Sequence, residues 1–122
     1  MPSPLEEQLK LSPFIVNVMI YGENKPHNVV VVVPDMSSLE RWAKHNGYNI
    51  TDPTTDPRVK ELLTTEIDRQ AASFKSFERP RGMLIVTEDF TVENGILTPS
   101  LKIKRRVALA KYGKALDALY AK

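Results

Sequence analysis

Short apolar runs alternate along this chain with segments whose apolar residues recur every three or four positions, the pattern of strands interleaved with amphipathic helices. Leu5 and Leu9 stand four apart, so Leu5 to Lys10 predicts a short helix with both on one face. Phe14 to Tyr21 reads as a mostly apolar strand interrupted by Asn17, and Gly22-Glu23-Asn24-Lys25-Pro26 has the composition of a turn. Val29 to Val33 follows, five β-branched residues in a row, so the two runs are expected to pair as a hairpin. A strand without polar alternation is one covered on both faces, and helices must then pack on the sheet.

Those helices have readable ends. Ser37 and Glu40 have capping-box spacing, Leu39, Trp42 and Ala43 share a face, and Gly47 is a natural stop. Asp56-Pro57 supplies a cap and a first-turn proline for a longer helix, on which Val59, Leu62, Leu63, Ile67, Ala71 and Phe74 form an apolar stripe. Pro80 lies beyond its end, and Met83 to Val86 is a third apolar strand. Asn94-Gly95, flanked by Thr91-Val92 and Ile96-Leu97, signals a tight hairpin turn. A last helix is expected from about Arg105 to Ala121, with Leu109, Tyr112, Leu116 and Leu119 on its buried side. Trp42, Phe74 and Phe77 read as packing residues. The expected fold class is α+β: a small sheet of about three strands with packed helices, plus a short hairpin before the C-terminal helix.

Composition narrows this picture only a little. A chain of 122 residues fits one domain, and 42% hydrophobic with 26% charged residues are the proportions of an ordinary globular protein. The absence of cysteine excludes disulfides and thiol chemistry. No apolar run approaches the ~20 residues needed to cross a bilayer, and Met1-Pro2-Ser3-Pro4-Leu5-Glu6-Glu7 has neither the basic nor the apolar region of a signal peptide. The formal net charge is only +2, yet residues 102–122 hold Lys102, Lys104, Arg105, Arg106, Lys111, Lys114 and Lys122 against one acid, Asp117. Such an end attracts anions, whether phosphates, nucleic acid or acidic lipid heads, and charge alone leaves these open.

Most catalytic constellations are missing from the sequence. His27 and His45 fall in different elements with no cysteine to help, so no metal site is expected. There is no Gly-x-Ser-x-Gly elbow, phosphate-binding Gly-x-x-x-x-Gly-Lys loop or Rossmann fingerprint. Glu88 and Asp89 read as a solvated loop edge. The one notable cluster is Leu101-Lys102-Ile103-Lys104-Arg105-Arg106. It reads as a solvated start to the last helix; cations there oppose the helix macrodipole, and the alternative reading is that the charge is kept for an anion. No aromatic residues are interleaved with it for base stacking, and nucleic acid is not an expected partner.

The segment Glu88-Asp89-Phe90-Thr91-Val92-Glu93-Asn94-Gly95-Ile96-Leu97-Thr98-Pro99-Ser100-Leu101-Lys102-Ile103-Lys104-Arg105 closely resembles the closing signature of AMP-forming long-chain fatty acyl-CoA synthetases. These belong to the adenylate-forming superfamily, with luciferases and peptide-synthetase adenylation domains. Pro4-Leu5-Glu6-Glu7 looks like the helix after the interdomain hinge, and Ser12 to Gly22 and Val29 to Asp35 look like the first two core strands. Phe77-Glu78-Arg79-Pro80 looks like the turn into the third, so the resemblance covers roughly residues 4–120. The wider superfamily usually has glycine where this chain has Leu101; the long-chain branch commonly has leucine.

The resemblance implies a C-terminal lid domain spanning residues 1–122, either a fragment or a truncated product of an enzyme whose large ATP- and acyl-binding domain and hinge are expected upstream of Met1. It implies that Lys102 is the adenylation lysine of a long-chain fatty acid–CoA ligase. That enzyme converts a fatty acid, ATP and coenzyme A to acyl-CoA, AMP and diphosphate through an acyl-adenylate. ATP with Mg2+ and coenzyme A would be bound mainly outside this chain, the isolated chain is expected to be inactive, and coenzyme A contacts within it are not assigned. The missing large domain is the implied partner. The expected location is the cytoplasm, with peripheral membrane association of the full-length enzyme left open. The alternative is a free-standing binding module with a basic, anion-binding C-terminal end.

Overall fold

The computed structural model describes residues 4–22, 27–74, 80–100 and 102–120. In chain order its elements are α1 (Pro4–Leu9), β1 (Ile15–Tyr21), β2 (Asn28–Pro34), α2 (Met36–His45), α3 (Pro57–Gln70), β3 (Pro80–Ile85) and α4 (Arg105–Ala118). The sheet has three strands in the order β1-β2-β3, so the valine strand is central. β1 pairs with it antiparallel, Val18 opposite Val32 and Met19 opposite Val31. β3 pairs with it parallel, Val30 opposite Met83 and Val32 opposite Ile85. Parallel neighbours need a crossover connection, which α2 and α3 supply. Most of the turn expected at 22–26 and the residues Phe77 and Leu101 lie outside the described residues.

The valine run divides by the twofold alternation of a strand. Val30 and Val32 join Val18, Leu5, Leu9, Leu39, Val59, Leu63 and Ile67 in one core cluster. Val29, Val31 and Val33 join Met19, Phe90, Ile96, Leu97, Ala108, Tyr112 and Leu116 in a second. All five valines are at most 3% exposed, and each contributes roughly 1.5–3 kcal/mol of burial. The fold is therefore three-layered, with α1, α2 and α3 on one face of the sheet and α4 with the 90–97 loop on the other. The covered strand read from the sequence is present, and helices cover both its faces.

The helix ends follow their sequence signals with one change. Asp35, not Ser37, caps α2: its carboxylate accepts from the Ser38 amide at 3.1 Å, and Ser37 lies exposed within the first turn. An acid directly after β2 reaches the third helical amide and also suits the positive end of the helix, so the Ser37–Glu40 box is not used. At the other end Tyr48 N–H donates to the Ala43 carbonyl (2.8 Å) and Gly47 N–H to that of Lys44 (3.2 Å). This pairing closes a helix through a left-handed residue, and Gly47 has φ 72°. Asp56 caps α3 through the Arg58 amide at 2.9 Å, with Pro57 in the first turn. Val59, Leu63, Ile67 and Ala71 of its stripe are buried. α4 stops at Ala118, and its buried line is Ala108, Tyr112 and Leu116 at steps of four, while Leu109 and Leu119 are half-buried.

Candidate functional site

The segment between β3 and α4 is anchored residue by residue. Phe90 is 2% exposed and Ile96 fully buried, both in the cluster under α4. Between them Asn94 organises the loop. Its Oδ1 accepts from the amides of Thr91 and Ile96 (3.1 Å each), and its Nδ2 donates to the Asp89 carbonyl at 2.9 Å. Thr91 answers with its hydroxyl, which accepts from the Asn94 amide at 3.0 Å. Gly95 has φ 82°, the left-handed turn that Asn-Gly sequences favour.

The hairpin before the last helix is present, but its pairing is displaced from where the sequence places it. Thr91 and Leu97 share one main-chain bond (3.0 Å), and the 91–97 segment is a looped turn. The antiparallel bridge joins Leu97 to Ile103 instead. The Asn94 side chain takes the amides of Thr91 and Ile96, which are then not free for a longer 91–97 ladder. Lys104 N–H donates to the Ile96 carbonyl (2.6 Å) and Thr98 N–H to that of Lys102 (2.8 Å), which closes the turn carrying Pro99 and Ser100. The Lys102 amide donates in turn to the Thr98 hydroxyl at 3.1 Å. Ile103 packs against the core, whereas Lys102 and Lys104 on either side of it are exposed. Strand alternation thus directs the isoleucine inward and both ammonium groups to solvent.

Lys104 is the N-cap position of α4 and makes no side-chain cap bond. The first amides of that helix therefore keep the positive end of the macrodipole uncapped beside Lys102, Lys104 and Arg106. Arg105 differs from its neighbours. Its guanidinium grips the Glu6 carboxylate with two bonds, of 2.6 and 3.0 Å, and donates at 3.3 Å to the Ile20 carbonyl. The Glu6 side chain is 2% exposed. The cation that opposes the α4 dipole at Arg105 is thus held by an internal anion, which sequence reasoning missed because Glu6 reads as an ordinary surface acid of α1.

Other acids at this end are also engaged. Glu88 pairs with Lys111, and Asp89 accepts from the Asn17 side chain at 2.7 Å and from the Phe90 amide at 2.7 Å. Asn17, the polar break in β1, therefore ties the edge strand to the loop. Tyr112 lies beneath, its hydroxyl buried without a hydrogen-bond partner, and burial pushes its phenol above the usual range. Clefts of about 390 Å³ between α3 and β3 and about 330 Å³ beside Glu6 and Arg105 are not lined by Lys102. Among the described residues no three histidine, cysteine, aspartate or glutamate side chains gather as a metal site. Among those residues, too, no helix is long and apolar enough to cross a membrane.

Residues 1–122 match the family described as the AMP-binding enzyme C-terminal domain. The long-chain-fatty-acid–CoA ligase FadD15 of Mycobacterium tuberculosis is 30% identical over 125 residues, which is 99% of this chain and 21% of that protein. The peroxisomal long chain acyl-CoA synthetase 7 of Arabidopsis thaliana is 31% identical over 126 residues, covering 98% of this chain and 18% of its own length. The adenylation domain of the carboxylate reductase of Mycobacterium chelonae superposes with a TM-score of 0.80 at 32% identity, over 97% of this chain and 17% of that one. The chain thus spans about a fifth of the length of these curated relatives. With its three-stranded sheet and packed helices, the chain belongs to the family of C-terminal domains of AMP-binding, adenylate-forming enzymes, and its curated relatives are long-chain fatty acid–CoA ligases.

Proposed function

We propose that this chain is the mobile catalytic lid of an AMP-forming long-chain fatty acid–CoA ligase, and that Lys102 is its adenylation lysine. In the first half-reaction a fatty carboxylate oxygen attacks the α-phosphorus of ATP, forming the acyl-adenylate and expelling diphosphate. Two anions must approach one another, and an ammonium between them offsets the charge that builds in the transition state. The observation that carries the reading is the setting of Lys102: an exposed cation at the closing pair of a tight turn, held there by its bonds to Thr98 and by the Leu97–Ile103 bridge next to it. The uncapped start of α4 beside it adds a second field favouring phosphate. In the second half-reaction the coenzyme A thiol attacks the acyl carbon and AMP leaves. Rotation of the lid withdraws Lys102 for that step, so one site serves two reactions.

On this reading a large domain holding ATP and the acyl chain is the partner, and the isolated chain makes no acyl-CoA. The cytoplasm, or the cytoplasmic face of the membrane that holds the fatty acid, is the location it calls for. The test joins the chain to its large domain and substitutes Lys102→Ala. Acyl-adenylate formation should fall by at least ~10²-fold, the usual effect of removing one preorganised electrostatic group, while a supplied acyl-adenylate is still converted to acyl-CoA. Lys104→Ala, with the same charge loss two residues away, is the control. Equal behaviour of the two variants would reduce the effect to bulk charge and refute the assignment.

A further inference from the structure

Glu6 is the most deeply buried acid among the described residues, at 1% exposure. A carboxylate is left in such a place only where its charge is met by directed partners. Here they come from two elements, β1 and α4. The Ile20 amide of the edge strand donates to Oε2 at 2.7 Å, and Arg105 donates to both oxygens. Arg105 also donates to the Ile20 carbonyl, so the ion pair satisfies both main-chain groups of that residue on the edge strand. The first side chain of α4 is thereby locked to α1 and β1.

Arg105 stands three residues after Lys102, and little chain lies between them that could absorb a change of angle. Lys104 is pinned to the Ile96 carbonyl and Ile103 to Leu97. The turn at Lys102 therefore has two supports. One is the Thr98 pair of bonds on its near side; the other is the part-buried Glu6–Arg105 fork on its far side. A two-bond guanidinium–carboxylate contact fixes orientation as well as distance, which a lysine in place of Arg105 could not do.

We infer that Glu6 and Arg105 are positioning residues for Lys102: the pair sets the direction of the 102–104 strand, so that α1 and the lysine turn move as one rigid piece. This rests on the reading of Lys102 given above. Neither residue touches a substrate. Their effect is on where the ammonium stands, and a misplacement of ~1 Å costs on the order of 10²-fold in rate.

The first arm of the test needs only this chain. Glu6→Gln confronts the guanidinium with an amide NH2, and hydrogen exchange reports the consequence. The amides of Thr98, Lys102 and Lys104 should exchange at least ~10-fold faster, with those of Val30 to Val32 unchanged. Acceleration spread evenly over both segments, or none in the turn, overturns the inference. Should Glu6→Gln not fold, Arg105→Lys carries the same test, since it keeps the charge and loses the fork.

The second arm uses the chain joined to its large domain. Glu6→Gln should lower kcat for acyl-adenylate formation by about 10- to 100-fold with KM for ATP and fatty acid unchanged. Conversion of supplied acyl-adenylate should be spared, and Glu6→Asp should recover part of the loss. Equal loss in both half-reactions marks a merely structural pair and overturns the inference. Lys102→Ala in the same protein separates the two ideas. If it impairs adenylation and Glu6→Gln does not, the positioning role fails alone; if it leaves adenylation intact, the assignment of Lys102 fails and the positioning role falls with it.

Discussion

Replacing Gly113 by alanine should stabilise the chain, and the same replacement at Gly95 should destabilise it. Gly113 lies inside α4, and a Cβ built there meets nothing within 4 Å. Alanine gains on glycine by ~0.8–1.0 kcal/mol in a helix interior, because glycine has more backbone freedom to lose on folding. Gly95 also has room, its nearest neighbour being a Val107 methyl at 3.9 Å, but its φ is 82°. A left-handed backbone costs an L-residue roughly 1–2 kcal/mol, and no contact offsets it. Urea unfolding of the purified chain measures both. With a slope of ~1.5–2 kcal/mol per molar, the midpoints should move about half a molar up for Gly113→Ala and half a molar or more down for Gly95→Ala. Thermal midpoints should separate by several degrees, at about 3–5 °C per kcal/mol for a chain of this size. Gly47→Ala, at φ 72° with open space around it, should behave like Gly95→Ala. Stabilisation at Gly95 and Gly47, or a loss at Gly113, would refute the reasoning, since the three sites differ chiefly in backbone conformation.

Two further outcomes concern the two cores. Leu63→Ala, at a fully buried position of α3, should cost about 2–5 kcal/mol in urea unfolding with little change of slope; a cost under about 1 kcal/mol would mean that the helix does not pack as described. Tyr112→Phe removes a buried hydroxyl without a partner and should be neutral or stabilising by about 1 kcal/mol. Burial raises the Tyr112 phenol above its ordinary value of 10.0. The unfolded chain therefore ionises first as pH rises, and stability present below about pH 10 declines through the folded-state pKa. Tyr112→Phe should flatten that alkaline decline in a series of unfolding curves, and an unchanged slope would argue against a buried phenol.

Local signals in the sequence were strong wherever structure depends on near neighbours. Five consecutive valines leave no polar face, so a strand covered on both faces was legible before any partner was known. Asp56-Pro57 marks a helix start because cap and proline act within one turn. Asn94-Gly95 announced a tight hairpin turn, and Gly95 turns there through a left-handed φ of 82°. What it did not announce is whether the flanks pair, because Phe90 and Ile96 go into the core and Thr91 spends its amide and hydroxyl on Asn94. The cap of α2 moved from Ser37 to Asp35 for a similar reason: several polar residues could serve, and the exit of β2 chose among them. Lys102 was singled out by resemblance alone, since its composition and spacing are those of any solvated lysine. The parallel pairing of β3 with β2, and the Glu6–Arg105 contact across 99 residues, had no local signature. Helix periods and turns are settled by atoms a few residues apart, and the sequence spells those out. Which strand lies beside which, and which acid is buried against which base, is settled by competition among all segments for burial, and that competition exists only once the chain has folded.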